Sequence, residues 1–483
     1  MPLAALQGAL RLPAPQPLRH ATVGRAAWRA TAERVAAGAG RLVALWGSAG
    51  AVHAVYGGTF GLLWVELALA AGERFPELAG IYPAAARMQR AAADLSGVHA
   101  EGADDTRPWL DHGLWGEGGP PLARAAADRG AMPSKLPDDY PFVRVDGEGV
   151  HEIAVGPVHA GIIEPGHFRF SVVGEKVLRL EERLGYVHKG IERRFAELPA
   201  LEAHRLAGRV SGDSTVAYAW AYCAALEAAL GVELPPRAAW LRALLLERER
   251  IANHLGDLGA LGNDAAFAFG LAQFSRLRED WLRVSRELFG HRLMMDAVVP
   301  GGVVADLGAA GRDRLLRQCD TVEAEVRELR TIYDEHAGLQ DRFMTTGRVP
   351  RELALRLGLT GLAARASGIA IDLRADHAFA PYAELGARAC MQTGGDVAAR
   401  VAVRFDEVFE SLRLLRELAG RLPAGPVLAE TTLPPAGLRR GLGWVEGWRG
   451  EIVVALELGP AGRIVRCHPH DPSWQNWPAL EHA

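Results

Sequence analysis

The chain has 483 residues, 49% of them apolar and 23% charged, with a formal net charge of −4. That length predicts more than one core, and the composition excludes a disordered chain. No basic excess marks a phosphate-binding surface, so nucleic acid is excluded as a partner. The four cysteines, Cys223, Cys319, Cys390 and Cys467, form no CxxC pair. They fit a reduced compartment better than a disulfide scaffold. The N-terminal stretch lacks an apolar core followed by small residues, so no signal peptide is expected.

From Leu42 to Val65 no formally charged side chain occurs, a length able to cross a bilayer. Its five glycines and the split at Gly57-Gly58 favour two buried strands joined by a turn, so no direct membrane span is expected. Residues 1–115 read as a first unit. The aperiodic Gly-, Pro- and charge-rich run 116–146 reads as a linker, and 147–483 as a second unit.

The second unit opens with alternating apolar residues over His167–Val172, a turn at Gly174 and a return over Val177–Leu180, which predicts a hairpin. Helices follow. Leu241, Leu244, Leu245, Ile251, Leu255 and Leu258 form one apolar stripe. Leu315, Cys319, Val322, Val326, Leu329 and Tyr333 form a second. Val401, Phe405, Val408, Leu412 and Leu415 form a third, with Asp396 as N-cap and Gly420 and Pro423 as stop signals. The expected class is α+β: a small α/β domain, then a mainly helical bundle with an edge β-hairpin. Cys223 and Cys319 fall on buried stripes as core thiols. Cys467-His468-Pro469-His470 offers three ligand-type side chains but no second cluster, so no metal site is expected there.

The run Gly156-Pro157-Val158-His159 through Glu164-Pro165-Gly166-His167-Phe168-Arg169-Phe170, followed by Leu184-Gly185-Tyr186-Val187-His188-Lys189-Gly190-Ile191-Glu192, resembles the start of the large subunit of energy-converting (group 4) [NiFe] hydrogenases. It is similar also to the quinone-site subunit of complex I. Thr360-Gly361-Leu362 through Arg365-Ala366-Ser367-Gly368 with Tyr382, and Asp471-Pro472-Ser473-Trp474-Gln475-Asn476, look like two further shared blocks. The first unit resembles the small companion subunit of complex I, fused as in formate-hydrogenlyase-type large subunits. Phe75-Pro76, Tyr82-Pro83-Ala84-Ala85 and Asp94-Leu95-Ser96-Gly97-Val98 carry that likeness. Gln89-Arg90-Ala91-Ala92-Ala93 replace the acidic residues between those motifs.

The resemblance implies where a nickel–iron centre would sit. Four thiolates from two CxxC pairs hold that metal, because a soft centre needs soft anionic ligands. The first pair maps onto Ser211 and Ser214, just after Arg209, and the second onto Ser473 and Asn476. Hydroxyl and amide groups do not replace thiolates, so no metal ligand is expected. By their residue types alone, Ser211–Ser214 are equally a helix cap ahead of an apolar helical run.

The complex I relatives receive a quinone in the corresponding cavity, reduced from an iron–sulfur cluster in a neighbouring subunit. Their His corresponds to His167 and their Asp to Asp264, while their Tyr falls on Gly212 and is absent. A His–Asp contact raises the imidazole pKa and lets it deliver a proton. Without the Tyr, Arg209, Ser211 or Ser214 would supply the second donor. Glu164 corresponds to a carboxylate that passes protons in hydrogenases. By composition alone, Gly262-Asn263-Asp264 is a turn signal, and Glu192 and Arg194 are surface charges.

The resemblance therefore implies a peripheral subunit on the cytoplasmic face of the inner (plasma) membrane, in a complex I-like oxidoreductase. Its partners would be an iron–sulfur small subunit and membrane antiporter-like subunits. The chain itself would bind no cofactor, a quinone or similar acceptor excepted. The alternative is a redox-inactive structural or coupling subunit of the same kind of complex. A retained hydrogenase with unusual ligands would instead carry stoichiometric nickel, which is not expected.

Overall fold

The computed structural model describes residues 9–115, 118–124, 140–159, 163–433 and 437–483. Much of the expected linker, and Ala160–Ile162 of the first shared motif, lie outside them.

The chain begins with a five-stranded sheet built from β1 (Leu10–Leu12), β2 (Leu18–Val23), β3 (Arg41–Ser48), β4 (Ala51–Gly58) and β5 (Gly61–Ala68), in the order β1-β2-β5-β4-β3. The uncharged segment 42–65 thus holds parts of three strands rather than two. The turn at Gly57-Gly58 lies where expected. The other turn, between Ser48 and Ala51, was hidden inside a nearly uniform apolar run and uses Gly50 at φ +74°. Helices α1 (Arg25–Ala37) and α2 (Ala85–Ser96) cover one face, burying Trp28, Val35 and Met88 against Tyr56, Leu63 and Val65. The pair β6 (Phe75–Pro76) and β7 (Ala100–Glu101) closes this part.

A second sheet of β8 (His151–Val155), β9 (His167–Val173) and β10 (Lys176–Arg183) contains the expected hairpin. The short helices α3 (Ile191–Phe195) and α4 (His204–Ala207) lead into α5 (Thr215–Leu230), α6 (Pro236–Asp264) and α7 (Ala268–Phe289). After the two-residue strands β11 (Val298–Val299) and β12 (Gly302–Val303) comes α8 (Ala309–Glu335). The helices α9 (Ala337–Phe343), α10 (Arg351–Leu357), α11 (Gly361–Ala366), α12 (Leu373–Asp376) and α13 (Tyr382–Leu385) precede the long α14 (Val397–Gly420). A C-terminal antiparallel sheet, β13 (Arg439–Glu446), β14 (Glu451–Leu458) and β15 (Ile464–His470), ends at α15 (Ser473–Asn476).

All three predicted stripes are buried on α6, α8 and α14. The Asp396 carboxylate accepts from the Ala399 N–H at 2.8 Å, capping α14 as its position suggests. Helix α5 is different: nearly every residue is buried, because helices pack on one side and β13 and β14 on the other. The fold is therefore α+β, as expected. The second face of the N-terminal sheet (Val43, Val55, Trp64) packs on Leu442, Trp444 and Val453 of the C-terminal sheet in one shared core.

Strand β13 can lie directly on α5 because it carries glycine where the two backbones meet. A Cβ at Gly441 or Gly443 would sit 1.9 Å from the carbonyl oxygen of Ala225 or Ala221. Both obstacles are backbone atoms of a buried helix, so the strand would have to lift away. Gly443→Ala is expected to cost about 1–3 kcal/mol, read as a lower urea midpoint with an unchanged slope.

Candidate functional site

The second and last of the blocks that carry the family resemblance meet at the N-terminus of α5. The turn Gly212–Ser214 precedes that helix, and the tip of the β13–β14 hairpin reaches it through Arg449. Arg449 grips the Asp213 carboxylate with both terminal nitrogens, one of them at 2.9 Å. Burial alone would raise the Asp213 pKa, but the guanidinium outweighs it and holds the acid ionised. Ser211 donates its hydroxyl to Asp213 at 2.5 Å, and the Asn253 amide donates to the Asp213 carbonyl at 2.6 Å.

The same hairpin tip touches the second shared block. Gly361 has φ +61°, and a Cβ there would meet the Arg449 carbonyl oxygen at 2.1 Å. The last block closes the group from the other side. The Tyr218 hydroxyl, one turn into α5, donates to Asp471 at 2.6 Å, and Asp471 in turn accepts from the Ser473 N–H at 2.8 Å. The Asn476 side-chain oxygen accepts from the Thr360 N–H at 3.1 Å.

The structure thus joins Ser211, Ser214, Ser473 and Asn476 into one neighbourhood through Asp213, Arg449, Asp471 and Tyr218. Sequence reasoning missed those four connectors. Asp471 and Asp213 stood inside quoted motifs, and Tyr218 is a phenol close to the position judged to have lost one. Nothing local distinguished Arg449.

The helix-cap reading of Ser211–Ser214 is corrected: no side chain of the turn caps α5. Glu249 of α6 does so, accepting from the Val216 N–H at 2.6 Å and the Ala217 N–H at 3.1 Å. Burial pushes the Glu249 carboxyl up to about 8, against the opposing pull of those two donors.

The other candidates stand apart. His167 is buried on β9, hydrogen-bonded through Nδ1 to the Gly156 carbonyl at 3.2 Å and set against the Phe142 ring. Asp264 is exposed at the last residue of α6 and is not among the partners of His167. Burial lowers the His167 pKa, the opposite of the shift expected from a carboxylate partner. Arg209 is committed to Asp296 at 2.6 and 2.8 Å on the exterior. Glu164 is exposed and paired with Lys189 at 2.9 Å. Glu192, expected on the surface, is instead bonded to Arg466 and His468.

Behind the site, α6 carries a buried ionic network. Glu407 of α14 accepts from Arg365 (2.8 Å), Arg250 (3.2 Å) and His254 (2.8 Å). Arg365 also reaches Glu446 of β13 at 2.9 Å. Arg374 holds Asp372 at 2.7 Å and Glu247 at 2.9 Å, and the Tyr382 hydroxyl donates to Glu247 at 2.6 Å. Three guanidiniums (Arg250, Arg365, Arg374) thus face four carboxyl groups (Glu247, Asp372, Glu407, Glu446), so neutrality calls for one more proton. Burial and the neighbouring Asp372 raise the Glu446 pKa, against the pull of Arg365. Among the described residues, no three His, Cys, Asp or Glu side chains cluster so as to hold a metal ion.

Comparison with known proteins places this geometry. Residues 257–437 match the respiratory-chain NADH dehydrogenase 49 Kd subunit, and residues 45–128 match the 30 Kd subunit. Hydrogenase-4 component G of Escherichia coli is 33% identical over 84% of this chain and 71% of its own length. The carbon monoxide-induced hydrogenase of Rhodospirillum rubrum is 32% identical over 68% of this chain and 91% of its own.

The chain belongs to the group 4 hydrogenase and complex I large-subunit family.

It has the fused form, with the 30 Kd-like part ahead of the 49 Kd-like part. A subunit of the archaeal membrane-bound sulfane sulfur reductase shares the fold, with a TM-score of 0.65 at 23% identity over 69% of this chain and 92% of that one. The relatives are subunits of membrane-bound complexes. Among the described residues, no helix is long and apolar enough to cross a membrane.

Proposed function

We propose that this chain is the peripheral large subunit of a membrane-associated, complex I-like oxidoreductase and that it holds no nickel–iron centre. One observation supports the second half most directly: the positions aligned with the four thiolates carry hard groups, two of them already in use. Ser211 is spent on Asp213, and Asn476 on the Thr360 backbone. Between the two loops lies the Asp213–Arg449 ion pair, which supplies a cation where a soft metal would need anionic sulfur. Elemental analysis of the purified complex is expected to give well under one nickel per chain. A stoichiometric value overturns the reading.

The acceptor in this reading is a quinone or similar compound, held near the His167 hairpin and the Ser211–Ser473 neighbourhood. Its electrons come from an iron–sulfur cluster in a partner small subunit. Antiporter-like membrane subunits complete the complex on the cytoplasmic face. His167, buried, donates its Nδ1–H to the Gly156 carbonyl and accepts from Arg169 at 3.4 Å through Nε2, so it would shape the pocket rather than donate to the acceptor. Tyr218, held by Asp471, is the phenol nearest the former metal loops. Acceptor-dependent turnover of the purified complex is expected to fall at least about tenfold in His167→Ala, because the pocket wall loses the imidazole that joins the Gly156 carbonyl to Arg169. Turnover unchanged by that substitution sinks the assignment.

A second reading, a redox-silent coupling subunit, draws on the failure of His167 and Asp264 to pair. It predicts an intact complex whose turnover ignores both residues.

A further inference from the structure

Three charged side chains, distant in sequence, meet where α2, β10 and the segment after α15 come together. The Arg87 guanidinium donates to Glu182 Oε2 at 2.8 Å and to Glu481 Oε1 at 2.8 Å. Glu481 Oε1 also accepts from the Glu182 backbone N–H at 3.0 Å. Arg87 lies over the Trp109 ring at 4.6 Å, which steadies the guanidinium between the two carboxyl groups.

One guanidinium thus serves two acids in a place almost closed to water. Glu182 is 1% exposed, and its Oε1 is buried without a partner among the described residues. An ionised carboxylate would leave that oxygen bare, whereas a protonated one is neutral and far cheaper to bury. The other charged groups nearby are committed elsewhere. On α2, Arg90 pairs with Asp105 at 2.9 Å, and Asp94 accepts from the backbone N–H groups of Trp109 and Leu110 at 2.6 and 2.7 Å. On β10, Glu181 turns to Arg107 at 2.6 Å and Arg183 to the Asp111 carbonyl at 2.8 Å. Across the sheet Glu182 faces Phe168 of β9, whose neighbours His167 and Arg169 are bonded to the Gly156 carbonyl and Glu152. His482 is exposed. Burial raises the Glu182 carboxyl to about 7; Arg87 opposes that rise and Glu481 adds to it.

Glu481 belongs to a segment that is otherwise lightly held. Trp477 leans on Phe168 at 6.1 Å between ring centroids, and Ala479 enters a small core with Leu357 and Leu359. Leu480 and His482 are exposed. The segment continues directly from Asn476, whose side chain holds the Thr360 backbone.

We propose that Arg87, Glu182 and Glu481 form a proton-operated latch on the segment 477–483. While the two carboxyl groups share one proton, the segment is held against α2 and β10. When that proton leaves to water, two carboxylates compete for one guanidinium, and Glu481 gives way. Glu182 is fixed in a paired strand, whereas the Glu481 side chain is already 27% exposed. Docking of Glu481 is one cause of the raised Glu182 carboxyl, so the docked form binds the proton more tightly than the released form. The hold is therefore full at acid pH, weakens as pH rises towards 7, and changes no further above it. The latch involves neither a metal nor an acceptor and does not rest on the reading above.

The test is hydrogen–deuterium exchange of the full-length chain at pH 5.5 and pH 7.5, with labelling times scaled to the intrinsic amide rate. Two places report: the amides of the segment 479–483, and the Glu182 N–H that Glu481 accepts from. In wild type both are expected to lose protection at least about tenfold between the two pH values. Glu182→Gln keeps an acceptor for Arg87 and cannot ionise, so its protection should stay high and equal at both. Glu481→Gln removes the second carboxylate by a change at a partly exposed position that the fold tolerates. Its protection should be lower at pH 5.5 and should not fall further at pH 7.5. Wild-type protection that ignores pH overturns the latch. So does a loss of equal size in Glu182→Gln or, should that variant fail to fold, in Glu481→Gln.

Discussion

Glu407→Ala is expected to destabilise the chain by about 3–5 kcal/mol. This single carboxylate accepts hydrogen bonds from Arg365, Arg250 and His254, all three side chains fully buried. Removing it leaves two guanidiniums and an imidazole short of an acceptor in a region water cannot reach. A buried donor left without its acceptor costs far more than the intact hydrogen bond contributes. Burial by itself would raise the Glu407 pKa. Arg365 and His254 overcome this and hold the group well below the usual carboxylate range. Chemical unfolding of wild type and variant at neutral pH measures the difference. A loss below about 1 kcal/mol would mean that the network readjusts around the gap.

Glu249→Gln is expected to do the reverse, and in a pH-dependent way. The carboxyl titrates near 4.5 when exposed and at about 8 in the folded chain, because burial penalises its charged form. Below pH 4.5 both states carry the proton and the group contributes no pH dependence. Between pH 4.5 and 8 the unfolded chain ionises while the folded chain keeps its proton, so wild-type stability falls as pH rises. Above pH 8 the penalty is complete. Glutamine keeps an acceptor for one of the Val216 and Ala217 N–H groups, sets its amide nitrogen against the other at a cost that does not vary with pH, and does not titrate. The variant should therefore gain on wild type by on the order of 2–3 kcal/mol between pH 5 and pH 7.5. Urea unfolding at those two pH values checks the sign. A gap that stays constant would mean that Glu249 remains ionised throughout.

The sequence was most legible where a periodic apolar pattern met a single buried face. The stripe of α8 was visible because that helix packs one side inward, and the hairpin β9–β10 because its residues alternate around Gly174. It was least legible where burial is nearly complete. The apolar run 42–65 hid a third strand because β3, β4 and β5 are covered on both faces, which erases the alternation that marks a strand.

For the site, the family resemblance mapped Ser211, Ser214, Ser473 and Asn476 onto one metal centre. It could not reveal Arg449, which reaches Asp213 across 236 positions. The His167–Asp264 pair failed for a related reason: aligned residue types carry no information about which partner each finds. His167 is served by a backbone carbonyl next to it in the hairpin, and Asp264 by solvent.

The contact between the N-terminal and C-terminal sheets has a consequence for how this protein is made. Trp64, Val55 and Trp444 are each almost wholly shielded from water, and that shielding is supplied from the opposite end of the polypeptide. Synthesis runs from the N-terminus, so the first sheet emerges with one greasy face bare and must wait for about 370 further residues, through Trp444, before its cover exists. A nascent chain in that condition is a client for a holding chaperone. Covalent fusion then guarantees that the cover arrives at a fixed one-to-one ratio and at high local concentration.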